Sequence, residues 1–177
     1  HDPELVQDWD GTFRKNMLKV AKKHNYEHYK YLLSNQYERA VFLKGDSIFL
    51  REAARYVWAR EHLYGQRVLE IGCSTGFGRQ FLPSDIDYIG LDYDPGIVEV
   101  ATEQEWPNAQ FMTADINEVP DSFLAGFDTI IAFEVIEHLK NGIEVVERLK
   151  KLCGRLLITV PYNEPPGFWG HHHMLHG

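Results

Sequence analysis

A short apolar run that breaks into a glycine-rich turn is the feature that most restricts the fold of this sequence. The run covers residues 67–71, and glycines follow at Gly72, Gly76 and Gly78. Glycine adopts positive φ angles without a steric penalty and lets a ligand approach the backbone closely. In an open α/β sheet such a turn lies at the carboxyl end of a parallel strand, where ligands bind. The turn therefore predicts a ligand cleft at one edge of a parallel sheet.

Strands and helices alternate from residue 66 onward, which favours a mostly parallel sheet with flanking helices. Apolar runs predict strands at 67–71, 87–92, 109–114, 127–133 and 155–160. Helices or helical turns are predicted between them at 78–82, 95–105, 121–125 and 142–152. The last two strands are continuously apolar, as expected for strands that are covered on both faces. Pro95 directly after Asp94 predicts a capped helix start.

The residues before the glycine turn predict a helical N-terminal cap. Helical spacing of apolar residues covers 12–24, 26–39 and 47–64. The second of these stretches carries four tyrosines, which favours packing on the domain. The alternative is a lid whose tyrosines face a substrate. We therefore expect a cap or lid over residues 1–64 and an α/β core over 65–177, within one structural unit.

Charge and composition restrict the partners of the protein. The chain has 177 residues, a net charge of −8 and a pI of about 5.6. This balance disfavours nucleic acid, which is bound by neutralising phosphates. No apolar run approaches the ~20 residues that cross a membrane, and no signal-peptide pattern opens the chain. Two cysteines, Cys73 and Cys153, favour a reducing compartment, so we expect a cytoplasmic protein without a membrane partner.

Acidic residues follow two of the predicted strands. Asp92 ends the second strand about 20 positions after the glycine turn, where a carboxylate can accept hydrogen bonds from the two hydroxyls of a ribose. Tyr93 beside it could cover an adenine ring. Asp115 follows the third strand and could accept from the adenine amino group, while Ile116 packs on its face.

Four motifs together resemble class I S-adenosylmethionine (SAM) dependent methyltransferases over residues 66–162. They are Leu69-Glu70-Ile71-Gly72, Gly90-Leu91-Asp92, Ala114-Asp115 and Glu134-Val135-Ile136-Glu137-His138-Leu139, in the order and spacing of that family. The resemblance implies a Rossmann-like fold, SAM as cofactor, and Glu70 and Gly72 near its amino-acid moiety. The residues expected to bind SAM are Glu70, Gly72, Cys73, Ser74, Gly76, Asp92, Tyr93, Asp115, Ile116 and Glu134.

The sequence differs from nicotinamide-binding proteins, and at two points it also differs from the usual methyltransferase pattern. Nicotinamide-binding proteins share the glycine turn and the acidic residue, but they do not explain Asp115 or the segment 134–138. Within the methyltransferase family, Ser74 stands where the commonest form of the turn has a third glycine. The family's sheet ends with a sixth strand and an antiparallel seventh, and residues 161–177 are too few for that hairpin. We therefore expect a fragment, or an open sheet edge that pairs with a second copy as a homodimer.

Glu134, Glu137 and His138 have the spacing i, i+3, i+4, so a helical turn would place them on one face. Three interpretations remain open at this point. The side chains hydrogen-bond the loop; or His138, or His172 in the later histidine run, removes a proton from the acceptor with Glu134 nearby; or Glu134, Glu137, His138 and His172 hold a divalent metal. The metal set resembles small-RNA 3′-terminal 2′-O-methyltransferases.

The function expected from these features is direct methyl transfer from SAM to an oxygen of a small molecule or glycan. An available histidine to remove the hydroxyl proton favours oxygen as the acceptor. Residues 51–59 and 161–167 look like bacterial methyltransferases of glycan or secondary-metabolite assembly. Two alternatives remain: a metal-dependent RNA 2′-O-methyltransferase, and a SAM-binding regulatory module without catalysis.

Overall fold

A five-stranded parallel sheet with helices on both sides forms the body of the protein. The computed structural model describes residues 47–161, so the helices predicted at 12–24 and 26–39 lie outside the described residues. The strands are β1 (Arg67–Ile71), β2 (Asp87–Asp92), β3 (Ala109–Thr113), β4 (Thr129–Phe133) and β5 (Arg155–Thr159). They lie in the order β3-β2-β1-β4-β5, and all four pairings are parallel. The predicted fold class and strand positions are confirmed.

The helices follow the predicted positions closely. They are α1 (Ser47–His62), the 3₁₀ helix η1 (Phe77–Phe81), α2 (Pro95–Thr102), α3 (Asp121–Leu124), the 3₁₀ helix η2 (Ile136–His138) and α4 (Gly142–Leu149). The predicted cap of α2 is confirmed, because the Asp94 carboxylate accepts from the backbone N–H groups of Gly96 and Ile97 and Pro95 is the first helical residue. Between residues 47 and 161, no helix has the length and apolar character that crossing a membrane requires.

The central strand β1 separates two apolar layers, because successive side chains of a strand point to opposite faces. Val68 belongs to the layer that contains Tyr56 of α1 and Ile97 of α2. Leu69 and Ile71 belong to the opposite layer, which the helices α3 and α4 help to form. Glu70 has the parity of Val68, so its side chain enters the layer on the α1 side.

Helix α1 packs directly on the sheet. Ala53, Tyr56 and Ala59 are buried at intervals of three residues, which places them on one face of the helix. The Tyr56 ring stacks on Phe81 of η1, with ring centroids 6.1 Å apart, and meets the edge of Phe133 at 5.3 Å. The helix predicted over 47–64 is therefore confirmed, and it shares the core of the sheet. The boundary at residue 64 between cap and core stays a prediction.

The turn after β1 needs its first glycine. Gly72 has φ 71°, and a Cβ atom there would lie 2.2 Å from the Cγ2 atom of Val135. Its N–H donates to the carbonyl oxygen of Leu91 at 2.7 Å, which holds the start of the turn beside β2. A larger residue would meet both a backbone and a packing penalty at this point.

We expect Gly78→Ala to lower the free energy of unfolding by about 2 kcal/mol or more, because the added Cβ would lie 2.0 Å from the Tyr56 ring and push α1 off η1. Chemical denaturation measures this loss. Gly126→Ala is the matched control, since its Cβ would meet its nearest neighbours at 3.1 Å, one of them the movable end of Arg67. Equal losses in the two variants would contradict close packing of α1 on η1.

Candidate functional site

A cleft of about 220 Å³ opens at the carboxyl ends of β1, β2 and β4. Its lining residues are Gly72, Ser74, Asp92, Tyr93, Ile97, Glu134, Val135, His138 and Leu139. Six of the residues predicted for the site therefore meet in one cleft, although they lie on three strands that are far apart in sequence. The parallel pairing of β1 with both β2 and β4 brings these strand ends together.

The Asp92 carboxylate joins the glycine turn to the end of β2. Its Oδ2 atom accepts from the backbone N–H of Ser74 at 3.0 Å, and its Oδ1 atom accepts from the N–H of Asp94 at 3.1 Å. Each carboxylate oxygen has two acceptor positions. The orientation of Asp92 is thus set by the backbone, and its carboxylate lines the cleft.

Ser74 keeps the backbone conformation of the glycine that it replaces. Its φ angle is 50°, a left-handed value that L residues other than asparagine and aspartate seldom adopt. Its Oγ atom is buried and has no hydrogen-bond partner among residues 47–161. A buried hydroxyl without a partner costs free energy unless a ligand satisfies it. This hydroxyl beside Asp92, in a cleft lined by polar and apolar side chains, fits a nucleoside ligand such as the predicted cofactor.

The residues after β4 do not form the shared face that the i, i+3, i+4 spacing suggested. Glu134 has φ 54° and lines the cleft, but the following turn is the three-residue 3₁₀ helix η2. In this turn Glu137 is fully buried at 0 % exposure, whereas His138 is exposed at the cleft. The expected common face is therefore wrong, because a 3₁₀ turn places successive side chains at different angles from an α-helix.

No metal centre forms from the predicted ligands within the described part of the chain. Residues 47–161 contain no group of three or more His, Cys, Asp or Glu side chains that could hold a metal ion. Two ligands of the alternative set differ in exposure, since Glu137 is buried whereas His138 is exposed. His172, the fourth ligand of that set and a candidate base, lies outside the described residues.

Glu70 lies beneath the cleft and does not line it. Its side chain is only 1 % exposed, Oε1 accepts from the hydroxyl of Tyr56 at 2.5 Å, and Oε2 accepts from the hydroxyl of Tyr88. The expectation that Glu70 lies near the ligand's amino-acid moiety stays a prediction, and the structure places its carboxylate in the core layer under α1. The physical reason is strand parity, which directs Glu70 to the same face as Val68.

Burial changes the acidity of this cluster. It raises the pKa of Glu70 to about 7, although the two tyrosine hydrogen bonds favour the charged form and lower the pKa. Burial also raises the pKa of Tyr56 and of Tyr88 well above the usual value, and the nearby Glu70 charge acts in the same direction. Near neutral pH the cluster therefore consists of two neutral tyrosines around a carboxyl group that is only partly ionised.

Four other predicted residues lie near the cleft without lining it. The Cys73 thiol is buried against Gly90, and burial raises its pKa well above the usual value. Gly76, with φ 74°, is the N-cap residue directly before η1. Asp115 lines a neighbouring groove of about 330 Å³ and accepts from Asn117, and Ile116 is buried in the core layer on the α3 and α4 side.

Sequence reasoning missed two kinds of residue. The cleft has apolar lining from Ile97, Val135 and Leu139. The apolar character of the segment after β4 was a signal that could have indicated Val135 and Leu139. Arg55 of α1 pairs with Glu134, the residue directly after β4, and its Nη2 atom lies 3.3 Å from Oε2. No local pattern reveals this pair, because its members are brought together only when α1 packs on β4.

Comparison with known proteins shows what the sheet and its cleft are similar to. A family model described as a methyltransferase domain matches residues 69–155, which contain β1 to the start of β5 and all the cleft residues. Over these residues the chain matches the methyltransferase family, in agreement with its resemblance to class I SAM-dependent methyltransferases. The predicted family resemblance, and SAM as the cofactor of such domains, are therefore confirmed for the matched residues.

Relatives in sequence bear methyltransferase names. The chain is 29 % identical over 142 residues to a Mycolicibacterium smegmatis protein named "Probable S-adenosylmethionine-dependent methyltransferase", covering 72 % of this chain and 54 % of the relative. It is 27 % identical over 112 residues to the ubiquinone biosynthesis O-methyltransferase of Paracidovorax citrulli, covering 60 % of this chain and 42 % of the relative. The chain thus spans about half or less of the length of these two relatives.

Solved structures share the fold at low sequence identity. The N-terminal domain of EvdMO1 with SAH bound has a TM-score of 0.55 at 16 % identity, with 72 % of this chain and 61 % of that one covered. The magnesium protoporphyrin IX methyltransferase of Synechocystis PCC 6803 with bound SAM has a TM-score of 0.52 at 16 % identity, with 79 % and 72 % covered. These likenesses concern the fold of the methyltransferase domain.

We expect the stability of the protein to fall as the pH rises from about 5 to about 8, because the pKa of Glu70 is higher in the folded state than in the unfolded chain. The contribution of the protonated carboxyl is fully present below the unfolded pKa and is lost as the pH passes through about 7. Glu70→Gln should remove up to about 3 kcal/mol of this pH dependence.

Denaturant unfolding at a series of pH values checks this expectation. Glu144→Gln is the control, since Glu144 is an exposed glutamate on α4 and its replacement should leave the wild-type profile unchanged. If the profiles of Glu70→Gln and wild type run parallel, the raised pKa of Glu70 is refuted.

Proposed function

We propose that this protein binds SAM in the cleft and transfers its methyl group to an oxygen of a small-molecule or glycan acceptor. The observation that carries the proposal is the meeting of Ser74, Asp92 and Glu134 at the ends of three adjacent parallel strands. When bound, SAM supplies a methyl group on a positively charged sulfur. The residues of the chain bind and orient the reactants, and such alignment alone can contribute several kcal/mol to the rate.

The nucleoside end of SAM suits the β2 side of the cleft. Asp92 offers acceptor positions to the two ribose hydroxyls, while its orientation is set by the N–H groups of Ser74 and Asp94. Tyr93 is 73 % exposed at the cleft, so its ring is available to cover the adenine. The unpartnered hydroxyl of Ser74 is available to a polar group of the same ligand.

The reacting end suits the β4 side of the cleft. Glu134 brings a negative charge there, which favours a cationic ligand group. His138 is exposed and lines the cleft, and we propose its imidazole as general base: it would take the hydroxyl proton of the acceptor as the acceptor oxygen receives the methyl group and SAH is released. His172 and the RNA-methylating, metal-dependent alternative gain no support from the described residues.

Several features support oxygen and a small acceptor. Relatives from Paracidovorax citrulli and Xanthomonas oryzae are named ubiquinone biosynthesis O-methyltransferases. Residues 51–59 look like those of glycan and secondary-metabolite methyltransferases, and α1, which contains them, reaches the cleft through Arg55. The net charge of −8 disfavours a nucleic-acid acceptor. A cytoplasmic location remains a prediction.

A homodimer through the sheet edge also remains a prediction. Within residues 47–161, β5 has β4 on one side and no strand on the other. A strand edge with free N–H and C=O groups is able to pair with another chain. We propose a second copy of the protein, or a further part of the same polypeptide, as the occupant of that edge.

We expect Asp92→Asn to weaken SAM binding by about tenfold or more, because the ribose hydroxyls lose a charged acceptor worth ~1.5–3 kcal/mol. Isothermal titration calorimetry measures the affinity. Asp85→Asn is the control, because Asp85 lines a separate groove beside the start of β2, at the opposite end of the sheet. Unchanged affinity of Asp92→Asn, in a variant that keeps its melting temperature, would refute the ribose assignment and with it the proposed orientation of SAM.

We expect His138→Ala to lower turnover about a hundredfold or more while SAM affinity stays within about twofold, because a general base acts on the chemical step. Release of SAH is measured with a panel of phenols, sugars and amines as acceptors. Equal losses of affinity and turnover would point to a positioning role of His138. Turnover on amines only would contradict an oxygen acceptor, and tight SAM binding with no turnover on any acceptor would favour the non-catalytic alternative.

A further inference from the structure

The guanidinium group of Arg55 connects helix α1 to the cleft. Its Nη2 atom lies 3.3 Å from Oε2 of Glu134, and its Nη1 atom lies 2.5 Å from Oε2 of Glu52 one turn earlier on the same helix. The side chain of Arg55 is 17 % exposed and that of Glu134 is 28 % exposed, so water screens this pair less than a surface pair. Glu134 itself lines the cleft, whereas Glu52 does not.

The charges of these three residues do not cancel. One guanidinium lies within ion-pair distance of two carboxylates, and only one of these carboxylates, that of Glu134, lines the cleft. Arg55 reduces the repulsion between Glu52 and Glu134 and faces the Glu134 carboxylate from the side of α1. The cleft therefore keeps a carboxylate whose orientation is held from outside by another element of the fold.

The backbone at Glu134 shows that this orientation is imposed. Glu134 adopts φ 54°, a left-handed conformation that is sterically unfavourable for a residue with a side chain. Its N–H donates to the carbonyl oxygen of Thr159 at 3.0 Å, so β5 holds the backbone while Arg55 holds the side chain. Strain of this kind persists where the surrounding structure determines the conformation, and it is frequent at ligand sites.

We propose that Arg55 is a positioning residue that orients the Glu134 carboxylate toward the cationic sulfonium and ammonium groups of bound SAM. This inference rests on the proposed function. Arginine suits the role because its two terminal nitrogens reach two carboxylates at once, which the single ammonium of lysine does not match. The neighbouring residue Tyr56 hydrogen-bonds Glu70 and so fixes α1 on the sheet. The backbone that carries Arg55 is therefore held in place.

A purely structural ion pair would have the same distances but different consequences. It would hold α1 on β4 and contribute to stability, and its loss would leave the affinity for SAM unchanged. A positioning role predicts that Arg55 and Glu134 act on affinity as one unit. A double-mutant cycle that measures SAM affinity and stability in parallel distinguishes the structural role from the positioning role.

The experiment uses the full chain with Arg55→Met, Glu134→Gln and the double variant, titrated calorimetrically with SAM and with SAH. Each single variant should weaken SAM binding about tenfold, and the double variant should be no weaker than Glu134→Gln alone. The loss should be smaller for SAH, because SAH has no sulfonium charge. Arg55→Lys should fall between wild type and Arg55→Met. Arg60→Met, an exposed arginine on the same helix, is the matched control and should bind SAM as the wild type does.

The outcomes distinguish a failure of the positioning role of Arg55 from a failure of the proposed function. If wild type binds SAM and Arg55→Met binds it equally well, or if the two single losses add in the double variant, the positioning role is overturned. A fall in melting temperature alone, with unchanged affinity, overturns it in the same way. If wild type binds neither SAM nor SAH, the proposed function itself fails. Should Arg55→Met not fold, the comparison of Arg55→Lys with Glu134→Gln for SAM against SAH decides the question.

Discussion

The hydrogen bonds to the Asp92 carboxylate are the contact on which the site depends. They tie the turn after β1, through Ser74, to the end of β2, through Asp94. Because the two strands are parallel neighbours, their ends lie side by side, and one carboxylate can reach both backbone segments. The same arrangement leaves Asp92 facing the cleft. A single acidic side chain thus both shapes the turn and presents acceptor groups to a ligand.

Helix α1 contributes to the site by contacting two carboxylates, one on β1 and one directly after β4. Tyr56 reaches Glu70 on β1 beneath the cleft, and Arg55 reaches Glu134 after β4 at the cleft itself. Consecutive residues of a helix point in different directions, so one residue packs into the core while the other lies at its rim. The element that precedes the family's glycine turn is therefore part of the site, and changes in its packing are expected to reach the ligand.

The strands and most helices could be predicted because their signals are local. The apolar residues of β4 and the Asp94–Pro95 pair each indicate their structure within a few residues. The arrangement of the site was harder to predict from the sequence. Asp92 could be placed from its distance to the glycine turn, but the split between Glu137 and His138 depends on whether the turn after β4 is α-helical or 3₁₀. That choice depends on contacts with the core, where Glu137 is buried.

The sequence by itself determined the parallel sheet, the position of the cleft and the acidic residue at the end of β2, since strand patterns and a glycine turn act over short spans. Only the tertiary structure decided that Glu70 is enclosed by Tyr56 and Tyr88, and that Arg55 meets Glu134. These contacts join residues from different elements. They arise from the face on which each strand residue lies and from the angle at which α1 packs on the sheet, and neither quantity is encoded in a local pattern.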